Sequence, residues 1–498
     1  MQRASGILMP IFSLPNRYGI GDFGKGAYNF IDFLRKSGQK YWQILPLVQT
    51  GYGNSPYSSV CSKSFSPYYI SIEKLLEQGL LLKEEVETSA YDKDIIDYGF
   101  LHSVRFPLLQ KAFSRFDRSD KRFSSFIKKG QYKDYALFMA LKEANDQKHF
   151  YEWQDEYKYR DKKALNEFEK ANYDEVLFWQ FIQFLALSQW KDLKRYANKK
   201  GISIIGDMPL YVALDSVDVW VEPSLYKLNK DFTPKKVAGV PPDYFSEDGQ
   251  LWGNPVYDYK VHKKQGYKWW VDRIATALSV FDYVRIDHFR GLDRYYEIEN
   301  GAPNAKEGEW IKVPSKALFS QIHRVVDKKR IIAEDLGIID DGVRQLLKWT
   351  KYPGMKILSF AFNGERDNLY LPENVIENSI CYTGTHDNDT LYGLIENSNH
   401  WDRANLYNGV RESLYNLGLD IPVNNDNDLV SAIIELGFKC KSKLFILPMQ
   451  DVLKMGSDMR INEPGTVKEQ NWSVKFSENH FSTELSKTLK DLTIKYKR

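Results

Sequence analysis

A chain of 498 residues is long enough for one elaborate domain or two ordinary ones, each with a sizeable core. Its 69 Lys and Arg against 66 Asp and Glu leave a formal charge of +3 with the signs interspersed, so the basic stripe of a nucleic-acid binder is excluded. Three widely spaced cysteines, Cys61, Cys381 and Cys440, exclude a disulfide framework and a zinc knuckle, and no run approaches the ~18 apolar residues of a membrane span.

At the N-terminus one Arg precedes an apolar run that Pro10 and Pro15 interrupt before a signal-peptide core could form, so a soluble, cytoplasmic protein is expected. The run KYWQILPLV (40–48) is apolar and strand-like. Residues 75–170 are charged, aromatic and helical in periodicity, which reads as an inserted helical subdomain. A long amphipathic helix follows, with Val176, Leu177, Phe181, Phe184, Leu185, Leu193 and Ala197 on its apolar positions and Gly201 as its stop. The segment 222–259, rich in Pro, Gly, Asp and aromatics, reads as a long loop and a candidate lid.

Four further runs share one form: GISIIGDMP (201–209), FDYVRIDHFRG (281–291), KRIIAEDLG (329–337) and SICYTGTHDND (379–389). Each is a buried-strand pattern that ends abruptly in an acid. Helix-then-strand alternation over this length predicts an α/β fold, and the length favours a barrel with additions. A barrel would gather Asp207, Asp287, Glu334 and Asp387 on the rim at the C-terminal ends of its strands. Glycosidic chemistry needs such a gathering, because one carboxyl must protonate the departing oxygen while another, ionised, attacks or supports the anomeric carbon. Arg285 lies two residues before Asp287, hence on the same strand face, where its guanidinium would favour the ionised carboxylate. His288 and His386, beside the acids, offer neutral partners for sugar hydroxyls. Read alone, any one of these acids could equally be a helix cap or a turn residue. The 14% aromatic content suits stacking on sugars but fits an aromatic core as well.

The order IIGDMP, VRIDHFRG, IIAEDLG, YTGTHDND resembles the four conserved regions of the α-amylase clan, in the form found in the amylomaltases, or disproportionating 4-α-glucanotransferases. SPYSS around Tyr57, DGQLWGNPVYDY in the long loop and RINEPGTVKEQNW near the end resemble further stretches of that family, so the likeness extends over nearly the whole chain. It implies a single catalytic (β/α)₈ TIM barrel over 1–498, with inserted, largely helical subdomains and no C-terminal β-sandwich. It implies Asp287 as nucleophile, Glu334 as general acid/base and Asp387 as transition-state stabiliser. Asp207, Arg285, His288 and His386 would line the cleaved sugar's subsite, and Tyr57, Asp243, Tyr244, Phe245, Trp252 and Asn254 the glucan-binding surface. No metal or organic cofactor is implied, and the partners would be α-1,4-glucans such as maltooligosaccharides and starch- or glycogen-derived dextrins, with neither nucleic acid nor membrane. The chain departs from the family in VKEQNW, where a glycine-rich run is more usual.

Other signals carry less. GIGDFG satisfies GxGxxG but follows Pro15 and Asn16 instead of a strand, and lacks an acid ~20 residues on. NNDND (424–428) lacks the Gly and closing Glu of a calcium loop. An α-glucan hydrolase using the same acids is the alternative enzyme. A non-catalytic glucan-binding protein would have lost one of Asp287, Glu334 and Asp387, and this chain keeps all three.

Overall fold

Short apolar runs rich in Ile, Val and Leu form strands here wherever both faces can be covered. The computed structural model describes all residues except 52, 88–90, 92 and 243–245. Its strands are, in chain order, β1 (Ala4–Leu8), β2 (Tyr41–Gln43), β3 (Ser203–Met208), β4 (Lys236–Val240), β5 (Gln250–Pro255), β6 (Tyr283–Ile286), β7 (Arg294–Glu299), β8 (Gly308–Lys312), β9 (Ile331–Ala333), β10 (Gly354–Ile357), β11 (Ser379–Tyr382) and β12 (Leu444–Pro448). Eight of them pair in parallel in the order β10-β11-β12-β1-β2-β3-β6-β9. The Ala333 N–H donates to Pro353 O at 3.0 Å and brings the two ends of that order together, so the sheet curls into a (β/α)₈ barrel.

Close packing at the barrel wall explains individual sequence choices. A Cβ at Gly206, in the middle of β3, would lie 2.1 Å from the Phe281 ring, so only glycine lets the strand and that ring approach. The helix Tyr173–Lys199 buries Val176, Leu177, Phe181, Phe184, Leu185, Leu193 and Ala197, all seven of the positions its periodicity marks, and Gly201 follows it at φ +81°. Trp179 and Trp190 on the same helix are almost wholly buried, and side chains of that size each contribute ~2–3 kcal/mol by leaving water.

The connection from β2 to β3 carries the helices Ile72–Glu77, Lys83–Val86, Tyr98–Arg115, Lys121–Lys128, Lys133–Ala144, Asp155–Lys158 and Lys162–Ala171. They seat against Tyr173–Lys199 through aromatic contacts, Phe116 to Phe181 at 4.8 Å and Phe123 to Phe184 at 5.3 Å between ring centroids. Residues 222–259 are not loop throughout: β4 and β5 lie within them and join β7 and β8 in an antiparallel sheet of order β5-β4-β7-β8. The strands escaped the sequence reading because β5 alternates no apolar face and β4 finds its other partner, β7, more than fifty residues away in sequence. This sheet has its own small core of Val237, Tyr296, Ile298 and Ala305. Among the described residues no helix is long and apolar enough to cross a membrane.

Candidate active site

The barrel interior turns polar toward the C-terminal ends of the strands. Asp207 and Arg285 are direct neighbours in the β3–β6 register, both buried, and Arg285 Nη1 lies 2.6 Å from Asp207 Oδ2. The same Nη1 is 3.0 Å from Asp287 Oδ1, just past the end of β6, where the carboxyl is partly open. One buried guanidinium thus anchors two of the strand-end acids. Tyr57, from the loop after β2, donates its hydroxyl to Asp207 Oδ2 at 2.7 Å. Its ring stacks on His386, centroids 5.1 Å apart and planes 12° apart, and Trp472 tilts against both rings.

Glu334 follows β9 and reaches across to the β6 loop. His288 N–H donates to its Oε2 and Leu336 N–H to its Oε1, each at 2.7 Å. The residue that carries the first donor has a left-handed backbone, φ 45° at His288. The Glu334 carboxyl therefore binds the peptide unit that joins Asp287 to His288. Asp387, after β11, accepts a hydrogen bond from Asn462 Nδ2 at 2.7 Å, its backbone carbonyl accepts from Arg460 Nη2 at 2.7 Å, and His386 Nε2 lies 3.4 Å from its Oδ2.

Electrostatics separates these groups. Burial raises the Asp287 and Glu334 carboxyls above the usual range, Asp207 adds to the rise at both, and the Arg285 guanidinium opposes it. Burial pushes the His288 imidazole down to about 4, with the Arg290 charge adding to the effect, and lowers His386 too, so both rings are neutral at neutral pH.

The remaining sequence-predicted residues divide. Trp252, on β5, packs edge-on against His288 at 4.9 Å and keeps 36% of its surface exposed, so the antiparallel sheet delivers an aromatic ring to the site. Asn254, on the same strand, donates its amide to Val212 O at 2.9 Å, holding the loop after β3. Asp243, Tyr244 and Phe245 lie outside the described residues. Asp335, adjacent to Glu334, turns into the barrel wall, where Oδ1 accepts the Met355 N–H at 2.6 Å. Sequence reasoning did not single out Asn462, Arg460 or Trp472, all within RINEPGTVKEQNW. Their signal is local: Trp472 holds φ 64°, a left-handed conformation rare for a bulky residue, and its N–H donates to Ile461 O at 2.8 Å. Among the described residues no group of His, Cys, Asp and Glu could hold a metal ion.

A parallel barrel whose rim gathers strand-end carboxyls, two of them on one buried guanidinium, with stacked aromatic rings beside them, defines an enzyme of glycosidic-bond chemistry. The profile of the 4-alpha-glucanotransferases matches residues 9–481. The chain is 42% identical to the 4-alpha-glucanotransferase of Clostridium butyricum over 98% of its own length and 100% of that protein's, and 39% identical to that of Thermus thermophilus over 97% of each. The amylomaltase of Streptococcus agalactiae, solved in complex with acarbose, superposes with a TM-score of 0.94 at 38% identity and full coverage of both chains. The amylomaltase of Corynebacterium glutamicum shares the fold at 20% identity, TM-score 0.80, over all of this chain and 75% of that one. The chain belongs to the 4-alpha-glucanotransferase family, and its activity is glycosyl transfer.

Proposed function

We propose that this enzyme cleaves an α-1,4-glucan and passes the freed segment to the 4-hydroxyl of glucose or another α-glucan by two successive displacements at the anomeric carbon. Asp287 attacks that carbon as Glu334 gives its proton to the departing glycosidic oxygen, so the C–O bond to the leaving sugar breaks while a glycosyl ester forms on Asp287. The acceptor's 4-hydroxyl then attacks the same carbon, its proton passes to Glu334, and the carboxylate of Asp287 leaves. Two inversions retain the configuration.

The observation that carries this reading is the pairing of Asp287 with Arg285 beside a Glu334 carboxyl bound to the very next peptide. Arg285 touches Asp287 and favours its ionised form, as a nucleophile requires, while burial favours the protonated form of Glu334, as a proton donor requires. Peptide N–H groups cannot accept that proton, whereas a bound glycosidic oxygen can. Asp387, with one oxygen occupied by Asn462, keeps the other for sugar hydroxyls as the ring flattens. Asp207, Arg285, His288 and His386 line the cleaved sugar's subsite, with Tyr57 stacked beneath it. Trp252 and, on the family resemblance, Asp243, Tyr244 and Phe245 bind the glucan further along, where Asn254 steadies the loop after β3. The segment 222–259, with β4 and β5, acts as a partial lid that favours a bound acceptor over water. Acarbose on the Streptococcus agalactiae relative supports α-glucans as the substrate class. The three buried free cysteines fit a reducing compartment, the cytoplasm.

Maltotriose as sole substrate tests the reading. A ladder of longer maltodextrins plus glucose, abolished by Asp287→Asn, is expected. Maltose and glucose with nothing longer would make the enzyme a hydrolase and overturn it.

A further inference from the structure

Arg290 is a buried side chain that joins separate parts of the site, and none of the catalytic steps above uses it. It sits three residues past Asp287 in the turn after β6 and is 5% exposed. Its Nη1 donates to Asp340 Oδ2 at 3.2 Å, and Asp340 in turn caps the helix Asp341–Thr350 by accepting the Val343 N–H. Asp340 lies at the far end of the loop that begins with Glu334, so this ion pair fastens the loop carrying Glu334 to the loop carrying Asp287. The guanidinium also lies 3.9 Å from the centre of the Trp310 ring, on β8, which ties both loops to the antiparallel sheet bearing Trp252. Its Nε is buried with no acceptor, so the group is held in place by the charge partner and the ring. Between the fastened ends, the Glu334 carboxyl is held by the pair of peptide N–H groups of His288 and Leu336, one from each loop.

We propose that Arg290 is a positioning residue for the transfer reaction: by locking Asp340 and Trp310 against the Asp287 loop it fixes where the Glu334 carboxyl stands relative to the nucleophile. The inference rests on Glu334 being the general acid, and predicts a particular kind of damage. A misplaced acid slows departure of a sugar, which needs a proton, and hardly slows departure of fluoride, which does not. Substrate binding, which depends on Tyr57, Asp207 and Asp387, stays intact.

The test compares the parent enzyme with Arg290→Met, Arg290→Lys, Asp340→Asn and Glu334→Gln, each checked for parental circular dichroism. Two rates are measured, turnover of maltotriose and first-turnover release of fluoride from α-maltosyl fluoride. Arg290→Met should lose ~10–100-fold in kcat on maltotriose with KM within about twofold, lose less than about threefold on the fluoride, and regain part of the deficit in Arg290→Lys. Asp340→Asn should show the same split at smaller size, and serves alone if Arg290→Met does not fold. Equal losses on both donors, or a loss in KM alone, would overturn the inference. Glu334→Gln shows which premise has failed: if it too loses both donors equally, the general-acid assignment falls; if it shows the split and neither Arg290→Met nor Asp340→Asn does, only the role of Arg290 falls.

Discussion

Asp335→Asn is the change that best separates the two neighbouring carboxyls of IIAEDLG. The Asp335 carboxyl is 7% exposed, faces β10 and accepts the Met355 N–H, and burial raises it from 3.8 to about 6. Glycine at 354 makes room for it, since a Cβ there would stand 2.5 Å from Asp335 Oδ2. A carboxyl whose folded value exceeds its unfolded one favours the native state most when protonated. Its contribution is complete below about pH 4, falls as pH rises, and is gone above about pH 6. The full rise corresponds to ~3 kcal/mol, of which ~2 kcal/mol is lost between about pH 4.5 and pH 7. Asparagine keeps an oxygen for the Met355 N–H and cannot ionise, so Asp335→Asn should gain stability over the parent by that amount across the interval. Asp22 and Asp451, likewise raised to about 6 by burial, titrate identically in parent and variant and drop out of the difference. Urea unfolding of both proteins at several pH values measures the gap, and the maltotriose ladder measured alongside should survive within a few-fold. Parallel stability curves would refute the reasoning about the wall carboxyl, and loss of the ladder in Asp335→Asn with its survival in Glu334→Gln would exchange the two roles.

Tyr57→Phe removes a hydroxyl bonded to Asp207 Oδ2 and leaves the ring on His386, so kcat/KM for maltotriose should fall ~10-fold or more by steady-state kinetics while the melting temperature barely moves. Asn462→Ala frees the Asp387 oxygen it holds; kcat should drop ~10-fold with little change in KM, as for a contact that matters most as the sugar ring flattens. Trp252→Ala opens the site beside His288 and should raise the ratio of reducing ends released to glucose units transferred several-fold, read from product analysis of maltotriose digests.

What the sequence made legible follows from burial. Strands β3, β6, β9 and β11 are covered on both faces and end in the acids, so an apolar run closed by a charge marks both the element and the rim, whereas β2 is legible only as an apolar run. The other three barrel strands lack that closing charge. Ala4–Leu8 merges into the N-terminal apolar stretch, Gly354–Ile357 is short and follows Pro353, and Leu444–Pro448 ends in proline and Met449. Their places in the barrel come from pairing with partners far along the chain, which no local pattern records.

Within the site, the legible residues are those whose chemistry follows from position on a strand: Arg285 and Asp287 share a face because they are two apart, and the pairing of Arg285 with Asp207 is a matter of register. The residues missed act through loops. Asn462 and Trp472 meet Asp387, Tyr57 and His386 only because the chain after β12 folds back over the rim, and Arg290 gains its meaning from Asp340 and Trp310, which stand fifty and twenty positions away. On the proposed mechanism, the chemistry of bond cleavage therefore rests on the strand ends. On the same mechanism the choice between water and a sugar as acceptor falls to parts held by such long-range contacts, which is why a hydrolase using the same four acids could not be set apart by those acids alone.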